Sequence, residues 1–225
     1  MAWRDWVRTV EIEPSLYAAD FARLGEQVTY LLNAGARVLH FDVGDGHFVE
    51  PVTIGPVVLK SIAPIVHGSD GVLDCHLMVE NPEKHIPQIA AAGGDSVTFH
   101  VEACDDVPAV LALAREHGLG VGVAFNPETD VEEAVEAAAD ADLALCMSIR
   151  PGYSGQEFMP EALERLRELR RLLPDDVFVQ VDGGISQENV RAAYEAGANL
   201  LVVGSAIFHR EDLPRAYHRL VRELA

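Results

Sequence analysis

Short apolar runs rich in β-branched residues alternate with longer segments whose apolar positions recur at helical spacing, and the alternation repeats eight times. The runs cover residues 9–12, 37–42, 71–76, 96–100, 120–124, 143–147, 177–181 and 200–203. Helices are predicted over 20–34, 55–65, 82–92, 106–117, 131–138, 159–173, 188–196 and 212–224. The punctuation agrees, because Gly35, Gly93, Gly118 and Gly197 follow helical stretches while Asp20, Asn81, Asp130 and Ser186 precede them. Segments such as VLHFDV and LLVVG are apolar on both faces, as expected for parallel strands covered by crossover helices. Eight strand–helix units in 225 residues, with no long linker, predict a single α/β domain over residues 1–225, a (β/α)8 TIM barrel. A doubly wound open sheet is the competing fold. Its Gly-rich turn is missing after the first strand, where Ile12 runs into Glu13-Pro14-Ser15.

Charge and cysteine usage narrow the function classes. Asp and Glu total 36 against 17 Lys and Arg, a formal net charge of −19, so a basic surface for nucleic acid or anionic membrane is not expected. Cys75, Cys104 and Cys146 lie far apart without a C-x-x-C pair, which supports neither a disulfide framework nor a thiolate zinc site and makes a reducing cytoplasm the expected location. The N-terminus carries Trp3, Arg4, Asp5 and Trp6 in place of a basic patch and an apolar stretch, and no apolar run approaches a bilayer span. Lys60 and Lys84 are the only lysines and neither ends a strand, which argues against Schiff-base chemistry.

In a barrel the chemistry gathers at the C-terminal ends of the strands. Polar or small residues there are Ser15, His40, Asp42, His76, His100, Glu102, Asn126, Met147, Arg150, Asp182, Gly204 and Ser205. Residues two apart on a strand share a face, so His40 and Asp42 point together into the interior if Leu39 faces the helices. An imidazole beside a carboxylate in an enclosed space needs a partner, and a divalent metal would serve. His76 and Asp182 can complete a set of two histidines and two carboxylates. Spacing alone leaves open His100 with Glu102, which stand in the same i, i+2 relation, and Asp74 two before His76.

Two small-residue turns carry a phosphate signature. DGGIS begins at Asp182 after the seventh strand and GSAIF begins at Gly204 after the eighth, each leading towards a helix whose first backbone N–H groups can hold an anion. This is the usual barrel phosphate site, and it lets an acidic protein bind an anionic substrate without lysines. The loop PGYSG, residues 151–155, is a candidate mobile cover.

Taken in order, SLYAADFARL, HFDVGDGHFVEPVTIGP, LDCHLMVENPEKHI, MSIRPGYSGQEFMPEALERLRELR, VDGGISQENV and GANLLVVGSAIF resemble the ribulose-phosphate 3-epimerase family, from about Ile12 to Phe208. The resemblance implies a ribulose-phosphate-binding barrel that interconverts ribulose 5-phosphate and xylulose 5-phosphate through an enediolate. It implies one divalent metal ion (Zn, Fe(II), Mn or Co), a homo-oligomer, and a small phosphorylated ketose as the partner. Carried over by motif, the metal ligands fall on His40, Asp42, His76 and Asp182, and the acid/base pair on Asp42 and Asp182. Substrate contacts fall on Ser15, His76, Met78, Met147, Gly152, Tyr153, Ser154, Gly155, Asp182, Gly183, Gly184, Gly204 and Ser205. Three departures bear on the substrate. Gly44 stands where the family usually has Met, Arg150 where Asn, Asp or Glu is typical, and Tyr153-Ser154 where Phe-Gly is commoner. A small residue at Gly44 is expected to make room for a longer ketose, such as allulose 6-phosphate. A barrel that binds a sugar phosphate without converting it is the non-enzymatic alternative.

Overall fold

The computed structural model describes residues 3–7 and 9–225. Eight strands form one parallel sheet: β1 Glu11–Pro14, β2 Val38–Gly44, β3 Val72–Met78, β4 Ser96–His100, β5 Gly120–Phe125, β6 Leu143–Met147, β7 Phe178–Asp182 and β8 Leu200–Val203. Neighbours pair in the order β1-β8-β7-β6-β5-β4-β3-β2, and a parallel bridge between Ser15 and His40 joins the two edges into a barrel. The first strand lies two residues later than the pattern predicts. Thr9 is exposed and belongs to the lead-in, whereas Glu11 and Glu13, which do not look like strand residues, are buried in β1.

Outside the strands lie α1 Trp3–Trp6, α2 Leu24–Asn33, α3 Pro56–His67, α4 Ile86–Ala92, α5 Val107–Glu116, α6 Val131–Ala137, α7 Ala162–Leu172, α8 Val190–Glu195, α9 Ser205–Phe208 and α10 Leu213–Glu223. Two expected helices begin with a separate 3-10 turn. Phe21–Arg23 precedes α2, with the Asp20 side chain accepting from the Ala22 amide, and Pro82–Lys84 precedes α4. The four helix-ending glycines all take left-handed φ, from 77° at Gly118 to 116° at Gly197, a region closed to most side chains. Among the described residues no helix is long and apolar enough to cross a membrane.

Two apolar cores follow from the strand period. Leu39, Phe41 and Val43 face outwards into a shell shared with Leu31, Leu59, Ile62 and other helix residues, all buried. Full burial of each such side chain is worth about 1.5–3 kcal/mol. The inward residues Val38, Val72, Leu143, Leu145 and Leu200 meet Trp3 and Trp6 of α1, which sequence reading did not find as a helix; it closes the N-terminal end of the barrel. Above this floor lies a buried polar band. Asp74 accepts from Ser96 Oγ at 2.8 Å and from Gln180 Nε2 at 2.8 Å, and Gln180 Nε2 also donates to Glu13. Burial and the nearby Asp74 charge push the Glu13 carboxyl well above its ordinary value.

Candidate active site

The band supports the residues directly above it. On β2 the period of two sends His40 and Asp42 inwards together, as expected, and adjacent pairing sets His76 of β3 level with Asp42. Asp182 ends β7. One ligating atom from each of His40, Asp42, His76 and Asp182 lies within 4.8 Å of the others. Asp42 Oδ1 is 3.2 Å from His40 Nε2 and 3.2 Å from His76 Nδ1, and Asp182 Oδ2 is 3.9 Å from His76 Nδ1.

Whether these residues suit a cation turns on His40. Its Nδ1 is 2.9 Å from Asp74 Oδ2, a carboxylate that accepts the ring proton and leaves Nε2 with a bare lone pair. That Nε2 is buried, and the Asp42 Oδ1 that faces it at 3.2 Å makes no hydrogen bond with it. An orphaned buried acceptor costs about 1–3 kcal/mol, which a cation seated among two imidazole nitrogens and two carboxylates would offset. The donor set therefore fits a divalent ion. The alternatives that spacing left open stand one step further out: Asp74 behind His40, and His100 with Glu102 behind His76, the two Nε2 atoms of His76 and His100 being 2.9 Å apart.

The two aspartates titrate in opposite directions. Burial alone would raise Asp42, but the flanking His40 and His76 rings overcome it and hold the carboxyl far below its usual range. Asp182 is pushed up to about 7 by burial and then by the Asp42 charge. One carboxylate poised as a base and one carboxyl poised as an acid is the division of labour that general acid–base chemistry requires.

Above the cluster opens a cleft. Its lining holds Ser15, Asp42, Met78, Met147, Gly152, Tyr153, Ser154, Gly155, Asp182, Gly183, Gly184, Gly204 and Ser205, so the residues expected to touch substrate are brought together. His76 and His40 lie beneath it, fully buried. Sequence reading missed Tyr17, Ile149, Ile185 and Val202 on the walls. Tyr17 was within reach, since it lies inside the SLYAADFARL motif two residues after Ser15. The DGG turn is tightly determined. Gly184 has φ of 64°, and a Cβ there would run into the Phe158 backbone nitrogen.

Of the departures from the family pattern, Gly44 and Arg150 lie off the cleft lining, whereas Tyr153 and Ser154 belong to it. No extra room opens at Gly44, because a Cβ there would already meet Val49 Cγ2 at 2.9 Å and the Pro51 carbonyl and Thr53 Cγ2 at 3.0 Å. The loop after β2 has folded into the space, pinned by Thr53 Oγ1, which accepts from the Gly44 amide at 2.6 Å. The extra space expected at Gly44 is therefore absent. Arg150 turns away to exposed Glu128, with Nη2 2.9 Å from Oε1. Tyr153 and Ser154 do line the cleft, and the Tyr153 hydroxyl donates to Glu50 Oε2 at 3.3 Å, linking the loops after β6 and β2.

Comparison with known proteins agrees with this geometry. The model of the ribulose-phosphate 3 epimerase family matches residues 11–208, from the start of β1 to the end of α9. The chain belongs to the ribulose-phosphate 3-epimerase family. It is an isomerase, of the carbohydrate epimerase kind. A ribulose-phosphate 3-epimerase of Escherichia coli (strain K12) is 42% identical over 217 residues, covering 95% of this chain and 96% of that protein. One from Bacillus subtilis (strain 168) is 39% identical over 211 residues, 92% and 96% of the two chains. Among solved structures, KGPDC from Streptococcus mutans matches with a TM-score of 0.71 at 13% identity, over 96% of this chain and 98% of that one, a likeness of fold alone.

Proposed function

We propose that this epimerase interconverts D-ribulose 5-phosphate and D-xylulose 5-phosphate, with Asp42 and Asp182 exchanging the proton on carbon 3. The observation that carries the reading is that these two carboxyl groups, from β2 and β7, enter one cleft. The carbon 3 proton is acidified by the neighbouring ketone, and its removal leaves a planar enediolate. In one direction Asp42 takes the proton from one face while Asp182 gives one to the other, which inverts the centre. In the reverse direction the roles exchange.

His40, Asp42, His76 and Asp182 would hold one divalent ion, which when bound supplies positive charge against the negative charge that develops as the proton leaves. Met78 and Met147 line the cleft with polarizable sulfur that makes few hydrogen bonds and excludes water from the planar intermediate. The turns at Gly183-Gly184 and Gly204-Ser205 receive the phosphate on backbone N–H groups. Ser15 and the 152–155 loop close the remaining sides.

Turnover of ribulose 5-phosphate in D2O by metal-loaded protein tests the reading. The expected product is xylulose 5-phosphate carrying deuterium at carbon 3, with Asp42→Asn and Asp182→Asn folded but inactive. Product without deuterium, or full turnover by either variant, overturns it.

A further inference from the structure

We infer that Glu102, acting through His100, fixes His76 in the tautomer that leaves its Nδ1 free for the divalent ion. The inference rests on the cation site proposed above and concerns two residues outside it. His76 presents Nδ1 to the cluster and Nε2 to His100 Nε2, 2.9 Å away. The two rings are inclined by only 25° with centroids 5.0 Å apart, so the nitrogens meet edge to edge. Behind them His100 Nδ1 is 3.2 Å from Glu102 Oε2.

The far end of this chain is anchored. Glu102 Oε1 accepts from the Asn126 amide at 2.7 Å and from the Thr129 hydroxyl, so Oε2 is the oxygen left to face His100. A carboxylate has no proton to give, which puts the His100 proton on Nδ1. A neutral imidazole carries one N–H, so His100 Nε2 can only accept, and the proton between the rings must belong to His76 Nε2. His76 Nδ1 is then left bare for a cation seated between it and the Asp42 Oδ1 that faces it 3.2 Å away. His100 is fully buried with the Phe48 ring 4.8 Å from its own, and this packing holds the imidazole edge-on to His76. The arrangement mirrors that at His40, where Asp74 fixes the proton on Nδ1 and bares Nε2, so two carboxylates hold the two histidines in opposite tautomers.

Glu102→Gln is the decisive substitution. To keep accepting from Asn126, the glutamine carbonyl must occupy the Oε1 position, which turns its NH2 towards His100 Nδ1 and reverses every proton in the chain. The affinity for Co(II), titrated by absorption against a competing chelator, is expected to fall about ten- to hundredfold, the range found when an outer partner of a ligating histidine is lost. Thr129→Val loosens the same anchor while leaving the carboxylate on His100, and is expected to keep wild-type affinity. In 15N spectra of Zn(II)-loaded wild-type protein the His100 proton should sit on Nδ1, with an N–H···N coupling between the two Nε2 atoms. Equal affinity in wild type and Glu102→Gln, equal losses in Glu102→Gln and Thr129→Val, or a His100 proton on Nε2 each overturn the inference and leave the site itself standing. Wild-type protein that takes up no divalent ion overturns both.

Discussion

Ser15 Oγ donates a 2.7 Å hydrogen bond to Asp42 Oδ2, tying the residue after β1 to the proposed base on β2. The bond is buried and occupies the carboxylate oxygen that does not face the histidines. Ser15→Ala should therefore reorient Asp42 without removing it. A fall in kcat of about tenfold is expected, with a loss of stability of about 1–3 kcal/mol from the abandoned acceptor. Steady-state kinetics and urea denaturation check the two parts separately.

Acid should weaken the fold through the pair that stands directly behind the proposed ligand His76. Burial, opposed by Glu102, pushes the His100 imidazole from 6.5 down to about 4. Burial works the other way on Glu102, but His100, the Thr129 hydroxyl and the Asn126 amide hold it at about 2, from 4.5. Both folded values lie below the unfolded ones, so the unfolded chain binds more protons and stability is lost as pH falls. The His100 part goes between pH 6.5 and about 4, and the Glu102 part between 4.5 and about 2. Melting temperatures of metal-free protein across this range should decline, and His100→Phe should flatten the upper portion of the decline.

Gly184→Ala should cost both binding and stability. With φ at 64° and the Phe158 backbone where a methyl group would go, the turn after β7 can accept alanine only by shifting. Since the turn lines the cleft, KM for the sugar phosphate is expected to rise by about tenfold or more, a transition-state loss near 1.4 kcal/mol. A KM within twofold of wild type would contradict the assignment of this turn to the phosphate.

Both tryptophans of the chain, Trp3 and Trp6, lie in the floor with ring centroids 5.3 Å apart. Their fluorescence should be blue-shifted in the folded state and indifferent to sugar phosphate, which binds at the other end. Trp3→Ala should destabilise the barrel by about 3–5 kcal/mol while sparing kcat. Emission that responds to substrate would show the two ends to be linked.

The eight-fold alternation was legible because parallel strands covered on the outside need unbroken apolar runs, and all eight strands lie within two residues of where that pattern puts them, with a helix between each pair. It misled at β1, where Glu11 and Glu13 are strand residues buried among polar partners rather than in oil. The period of two found His40 with Asp42 but could not rank them against His100 with Glu102, since spacing does not show that β4 ends at His100 and that Glu102 falls, exposed, in the 3-10 turn beyond it. Gly44 shows a different limit. A missing side chain predicts a void only if nothing else moves in, and Val49, Pro51 and Thr53 have done so.

The indole-capped floor gives the barrel a single mouth. An ion held by His40 and His76 would lie beneath a sugar phosphate bound in the cleft lined by Met78 and Tyr153, and would leave more slowly while that sugar is bound. Chelators should accordingly strip a resting enzyme faster than one saturated with ketose.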